Sequence, residues 1–97
     1  MLFALICTDK PASLDLRLAT RPQHLAYIET YQDRIVQAGG LLDAEQRACG
    51  SLLIIDVADA AAAAGFAEAD PYHRAGLFES VVIRAYRQVI AAGERVG

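Results

Sequence analysis

Tryptophan is absent, Lys10 is the only lysine, and no apolar run approaches the ~18 residues that suggest a membrane span. Each lack closes a class of function. Nine Lys and Arg face twelve Asp and Glu, for a net charge of −3, and they form no basic run. A surface that tracks phosphates needs a basic patch, so nucleic acid is not an expected partner. Four scattered Tyr and no Trp give no stacking platform for single strands. Cys7 and Cys49 lack CxxC spacing, which allows one disulfide but implies no framework. His24 and His73 alone are a thin basis for a metal site, and neither a phosphate-binding glycine loop nor GxSxG occurs. No metal is therefore expected. The apolar start MLFALIC carries no basic residues ahead of it, unlike a secretory signal. The reading is a cytoplasmic chain with reduced thiols and no membrane association.

What is present is a small, apolar chain. Leu, Ile, Val and Phe make up more than a quarter of the 97 residues, above the roughly 20% below which chains tend to be disordered. Length and composition predict one domain over residues 1–97, with room for one sheet and two or three helices.

Residues 2–7 (LFALIC) form an apolar run too short for a helix and read as a buried strand. Residues 8–20 read as a long connection, in which Ser13 is placed to cap a single helical turn. A helix is expected over residues 21–38, with Pro22 in its first turn and Gly39-Gly40 as its stop. Residues 41–47 read as a strand and residues 51–57 (SLLIIDV) as the strongest strand. Asp59 caps an Ala-rich helix over residues 60–69, which Pro71 ends. Residues 78–86 read as a β-branched strand, and the last ten as strand or coil that frays.

The order β, α, β, β, α, β predicts an α+β chain with a ferredoxin-like βαββαβ fold and a four-stranded antiparallel sheet. Both faces of the strands at 2–7 and 51–57 are apolar. A single layer of helices covers one face, and the bare face of such a sheet is normally polar. A second sheet is expected to cover it, most simply from an identical chain, giving a homodimer with facing sheets. The alternative is a monomer with its C-terminal tail folded over that face.

Few residues carry obvious chemistry. In a helix starting near residue 21, His24 lies in the first turn, where the positive end of the dipole favours a neutral imidazole, a usable general base. Position alone favours an exposed first-turn histidine without a task. Asp70-Pro71-Tyr72 reads first as helix-stop chemistry. Asp9, Ser13, Arg17 and Arg21 lie on or beside the long connection, and long loops in small domains are often functional. Cys7 and Cys49 have no basic sequence neighbour to activate a thiol and read as non-catalytic.

The stretches DKPASLDLRLATRPQHLAYI and ADPYHRAGLFESVVIRAY together resemble the YCII-related (YciI-like) proteins, over nearly the whole chain. The resemblance implies a member of the dimeric α+β barrel group, in agreement with the facing sheets. It also implies a catalytic His–Asp pair, here His24 and Asp70, and a likeness to a dehydrochlorinase of a chlorinated hydroxyhydroquinone. Around the pair it implies Asp9, Ser13, Arg17, Arg21 and Tyr72 as substrate-binding residues. One departure is Phe66 in the second helix, where the family often places Trp. The expected function is a cofactor-independent lyase or isomerase acting on a small cyclic or aromatic compound. Two alternatives are a module that only binds a small-molecule ligand and a cofactor-free monooxygenase-like enzyme.

Overall fold

Strand β1 (Leu2–Asp9) runs through the middle of the sheet, and its alternation sorts the molecule into two sides. Phe3, Leu5, Cys7 and Asp9 are all buried on one face, while Ile6 and Thr8 stay open on the other. The computed structural model describes all residues 1–97. After β1 come helix α1 (Leu14–Glu29), a 3-10 turn (Gln32–Arg34), strands β2 (Ile35–Leu42) and β3 (Ala48–Asp56), helices α2 (Ala60–Ala69) and α3 (Pro71–Arg74), and strand β4 (Phe78–Ala85). A hairpin of β5 (Ile90–Ala91) and β6 (Glu94–Arg95) ends the chain, turning through Ala92 and Gly93 with φ of 52° and 78°.

The sheet order is β2-β3-β1-β4 with every neighbour antiparallel, which is the expected ferredoxin-like arrangement. Its core joins Phe3, Leu5, Leu53 and Ile55 of the sheet to Ala63, Phe66 and Ala67 of α2, with Tyr27 and Ile28 of α1 packed against them. The Ala-rich face of α2 lets the helix lie close to the strands. Asp59 caps that helix as expected, accepting from the Ala62 amide at 2.8 Å.

Three boundaries differ from the sequence reading. Helix α1 begins at Leu14 rather than near residue 21, and Pro22 lies inside it. Most of the supposed connection is therefore helix. An interior proline costs about 3 kcal/mol; the half of α1 that precedes it is fastened to the sheet by Arg17, as described below. The helix also stops earlier, at Glu29, where the Thr30 hydroxyl donates to the Tyr27 carbonyl at 2.6 Å. Gly39 and Gly40 consequently stand in edge strand β2, not at a helix end. The strand expected at residues 41–47 is likewise displaced. The Asp43 carboxylate accepts from the Glu45 and Arg47 amides, at 2.9 and 3.0 Å, folding this segment into a turn.

Away from the helices, Ile6, Leu52 and Val82 form one cross-strand row and Ala4 pairs with Ile54 in the next. Ile6, Leu52 and Val82 are each more than a third exposed. Ile55 points into the helix-covered core. No helix is long and apolar enough to cross a membrane.

Candidate active site

Extending α1 back to Leu14 puts Arg17, Arg21 and His24 at spacings of four and three, on one helical face. That face looks across a cavity of about 300 Å³ toward Ala38, Gly39 and Gly40 of β2 and Ser51 and Leu53 of β3, with Tyr72 of α3 completing the wall. Leu18, Leu25 and Ile28 of α1 make most of the remaining lining apolar.

His24 and Asp70 meet although 46 residues separate them. The His24 Nδ1 lies 2.9 Å from Asp70 Oδ1 and 3.1 Å from Oδ2. Since Asp70 accepts, Nδ1 carries the proton and Nε2 is left without a protein partner. The dipole argument for His24 does not survive: it is the eleventh residue of sixteen, in the middle of α1. Asp70, not the helix end, governs its ring. Asp70 is extended because Pro71 follows it. The same carboxylate caps α3, with Oδ1 accepting from the Tyr72 amide at 2.9 Å.

Tyr72 is 1% exposed and stacks on His24, with ring centroids 4.0 Å apart and planes within 16°. Its side chain borders the cavity. Burial pushes the phenol above its ordinary range, with Arg17 and Arg21 drawing it partly back. Tyr72 is thus a neutral phenol in the cavity wall.

The two arginines have different situations. Arg17 is fully engaged: Nη1 donates to both Asp9 oxygens at 3.1 and 3.0 Å, and Nη2 donates to the Gly50 carbonyl at 2.8 Å and to Ser51 Oγ at 2.7 Å. Its guanidinium also lies 4.7 Å from the Tyr72 ring centroid. It ties α1 to β1 and β3. At Gly50 itself a Cβ would meet the Cys7 carbonyl oxygen at 2.5 Å, so only glycine lets β3 lie this close to β1 there. Arg21 has no carboxylate partner and lines the cavity with its charge free. An anionic oxygen in the cavity would therefore meet Arg21 before Arg17.

Asp9 and Ser13 do not reach this cavity. Asp9 stands behind Arg17, where burial raises its carboxyl above the ordinary range and Arg17 pulls it back part of the way. Ser13 precedes α1 but makes no side-chain cap; its hydroxyl donates to the Pro11 carbonyl at 3.2 Å. Both border a separate depression. Phe66 is also away from the cavity, packed against Tyr27 and Tyr31 at 5.3 and 4.9 Å, so the departure from Trp alters core rather than pocket. Ser51 and Gly50 escaped the sequence reading, since nothing in SLLIIDV marks a hydroxyl as an arginine's partner.

Cys7 does have a basic neighbour, brought by the fold rather than the sequence. Burial nevertheless pushes its thiol up to about 12, with Asp70 and Asp9 adding to the rise and Arg17 opposing it. Both cysteines are free, Cys7 buried and Cys49 exposed. A disulfide-exchange reagent should titrate one thiol in the native protein, Cys49, and two after unfolding. Two fast-reacting native thiols would contradict this. No three His, Cys, Asp or Glu side chains converge as a metal site would require.

Protein YciI of Escherichia coli is 34% identical over 97 aligned positions, spanning 92% of this chain and 99% of that protein. A protein of Haemophilus influenzae is 32% identical with the same coverage. Among solved structures, 5-chloro-2-hydroxyhydroquinone dehydrochlorinase of Burkholderia phenoliruptrix, in complex with 2,5-dihydroxybenzoquinone, superposes with a TM-score of 0.86 at 32% identity. The match covers 90% of this chain and 94% of that one. The profile of the YCII-related domain matches residues 1–87, and with relatives this similar over nearly their whole length, the chain belongs to the YCII-related domain family.

Proposed function

We propose that the chain is a cofactor-independent lyase or isomerase acting on a small hydroxylated ring, with His24 as the proton-transfer group and Asp70 as its positioning partner. One observation carries this reading: a histidine held through Nδ1 by a buried carboxylate, with Nε2 unpartnered beside a cavity of one-ring size. Nε2 takes the proton of a ring hydroxyl, and a proton returned to a ring carbon gives the keto tautomer. Where that carbon bears a halogen, a second hydroxyl then loses its proton as the halide leaves with its bonding electrons. The net change is loss of hydrogen halide, with no electron acceptor required. Arg21 faces the developing oxyanion and Tyr72 hydrogen-bonds a ring oxygen. Arg17 keeps α1, and so the other groups, in place. The dehydrochlorinase among its structural neighbours supports the choice of substrate class.

The test is halide release from a panel of halogenated hydroxyhydroquinones, run with and without oxygen. Release that persists anaerobically and disappears in His24→Ala is the expected result. Binding without turnover at any pH would make the chain a binding module, and a strict need for oxygen would make it a monooxygenase-like enzyme.

We further propose that two copies pair through the open sheet face, since Ile6, Leu52 and Val82 form an exposed apolar row across three strands there. A stable pair of this kind buries roughly 1,200–2,000 Å² in total. Leu52→Asp, on the open face, should yield a folded monomer in sedimentation velocity, whereas a charge at Ile55 should damage the core. A wild-type monomer at micromolar concentration would remove the homodimer. The two free thiols suit a reducing compartment, and we place the chain in the cytoplasm.

A further inference from the structure

The cavity beside His24 does not end at its own walls. Leu25 and Ile28 of α1 and Ala38 of β2 also line an adjoining groove of about 330 Å³ between the second half of α1 and the edge strand. Those three residues, with Ile35 and Val36, make the groove mainly apolar. Its polar lining is Glu29, Gln32 and Gln37, of which Glu29 and Gln32 lie past Leu25 and Ile28, away from His24, and form its rim.

A polar head site opening into an apolar channel with a polar rim has the layout of a site for an amphipathic molecule. We infer that the substrate ring carries an apolar substituent, an alkyl chain or its equivalent, that lies in this groove while the hydroxylated ring sits between His24, Arg21 and Tyr72. The inference rests on the proposed function and adds the class of substituent. Leu25 to Glu29 spans about 6 Å of helix at 1.5 Å per residue, room for a chain of about four to six carbons before the rim. The groove lies on the helix side of the sheet, so pairing through the open face leaves it accessible.

Calorimetric titration of two probes separates the outcomes: 2,5-dihydroxybenzoquinone and its 3-pentyl derivative. Each buried methylene is worth roughly a fourfold gain in affinity, so the pentyl compound should bind at least tenfold tighter. Val36→Asp charges the groove without touching the cavity and should abolish that gain while leaving the parent compound's affinity unchanged. Gln32→Leu, on the exposed 3-10 turn, should carry the gain on to a heptyl chain, and it serves even where the strand does not tolerate Val36→Asp. Parent binding with no gain from the pentyl chain overturns this inference alone, as does a gain that is unaltered in folded Val36→Asp. Failure of both probes to bind overturns the site reading together with it.

Discussion

Arg17→Ala should lower folding stability by about 3–5 kcal/mol, the cost of removing one partner from a buried ion pair. Both side chains of the pair are under a tenth exposed. The loss extends beyond the pair, because Arg17 also fills the Gly50 carbonyl and the Ser51 hydroxyl. Its pH dependence identifies the cause. Burial already raises the Asp9 carboxyl, and Arg17 is what pulls it down. Without Arg17 the folded-state value rises further above the unfolded one. A group raised in the folded state contributes most at low pH and loses that contribution as pH rises through its folded value. The variant should therefore regain part of its stability on mild acidification, relative to the wild type at each pH. Denaturant melts across pH measure this. An exposed arginine's small and pH-independent loss would show that the clamp is not a stability element.

His24→Ala should reduce turnover of a chlorinated hydroxyhydroquinone by about 10²–10⁴-fold, the usual span for a lost acid–base group. Asp70→Asn should cost a similar factor, and the double variant little more, because residues that work as a unit are non-additive. Nitrogen-15 NMR gives a readout that a purely structural role would not move. Wild-type His24 should show a protonated Nδ1 and a bare Nε2. In Asp70→Asn the amide offers N–H donors as well as an oxygen, so the preference between tautomers should weaken or reverse. An unchanged tautomer in a folded Asp70→Asn protein would dissolve the pair.

Much of the scaffold was legible because it depends on local pattern. Alternation in residues 2–7 and 51–57 located the central strands and both of their faces, and Asp59 marked the start of α2. Boundaries that depend on distant partners were misread. Pro22 and Gly39-Gly40 carry strong local signals for a helix start and stop, yet both were overridden. Helix α1 continues back through Pro22 into a segment that Arg17 ties to the sheet, and pairing with β3 claims Ile35 to Leu42 for the sheet. In the candidate site, His24 and Asp70 were found through family resemblance rather than spacing, since no local rule joins residues 46 apart. The division of labour between Arg17 and Arg21 was not readable at all. It exists only because Asp9, Gly50 and Ser51 converge on one guanidinium and leave the other free.

The double use of Asp70 has a dynamic consequence. Helix α3 is four residues long, and the carboxylate that caps it also orients the His24 ring. A fluctuation that opens residues 70–74 releases the His24 ring from Asp70 and unstacks Tyr72 in the same event. Loss of the His24–Asp70 contact is thereby tied to a local opening free energy, which can be far smaller than that of global unfolding. The exchange rate of the Tyr72 amide proton, bonded to Asp70, then measures how often that contact opens in an otherwise folded molecule.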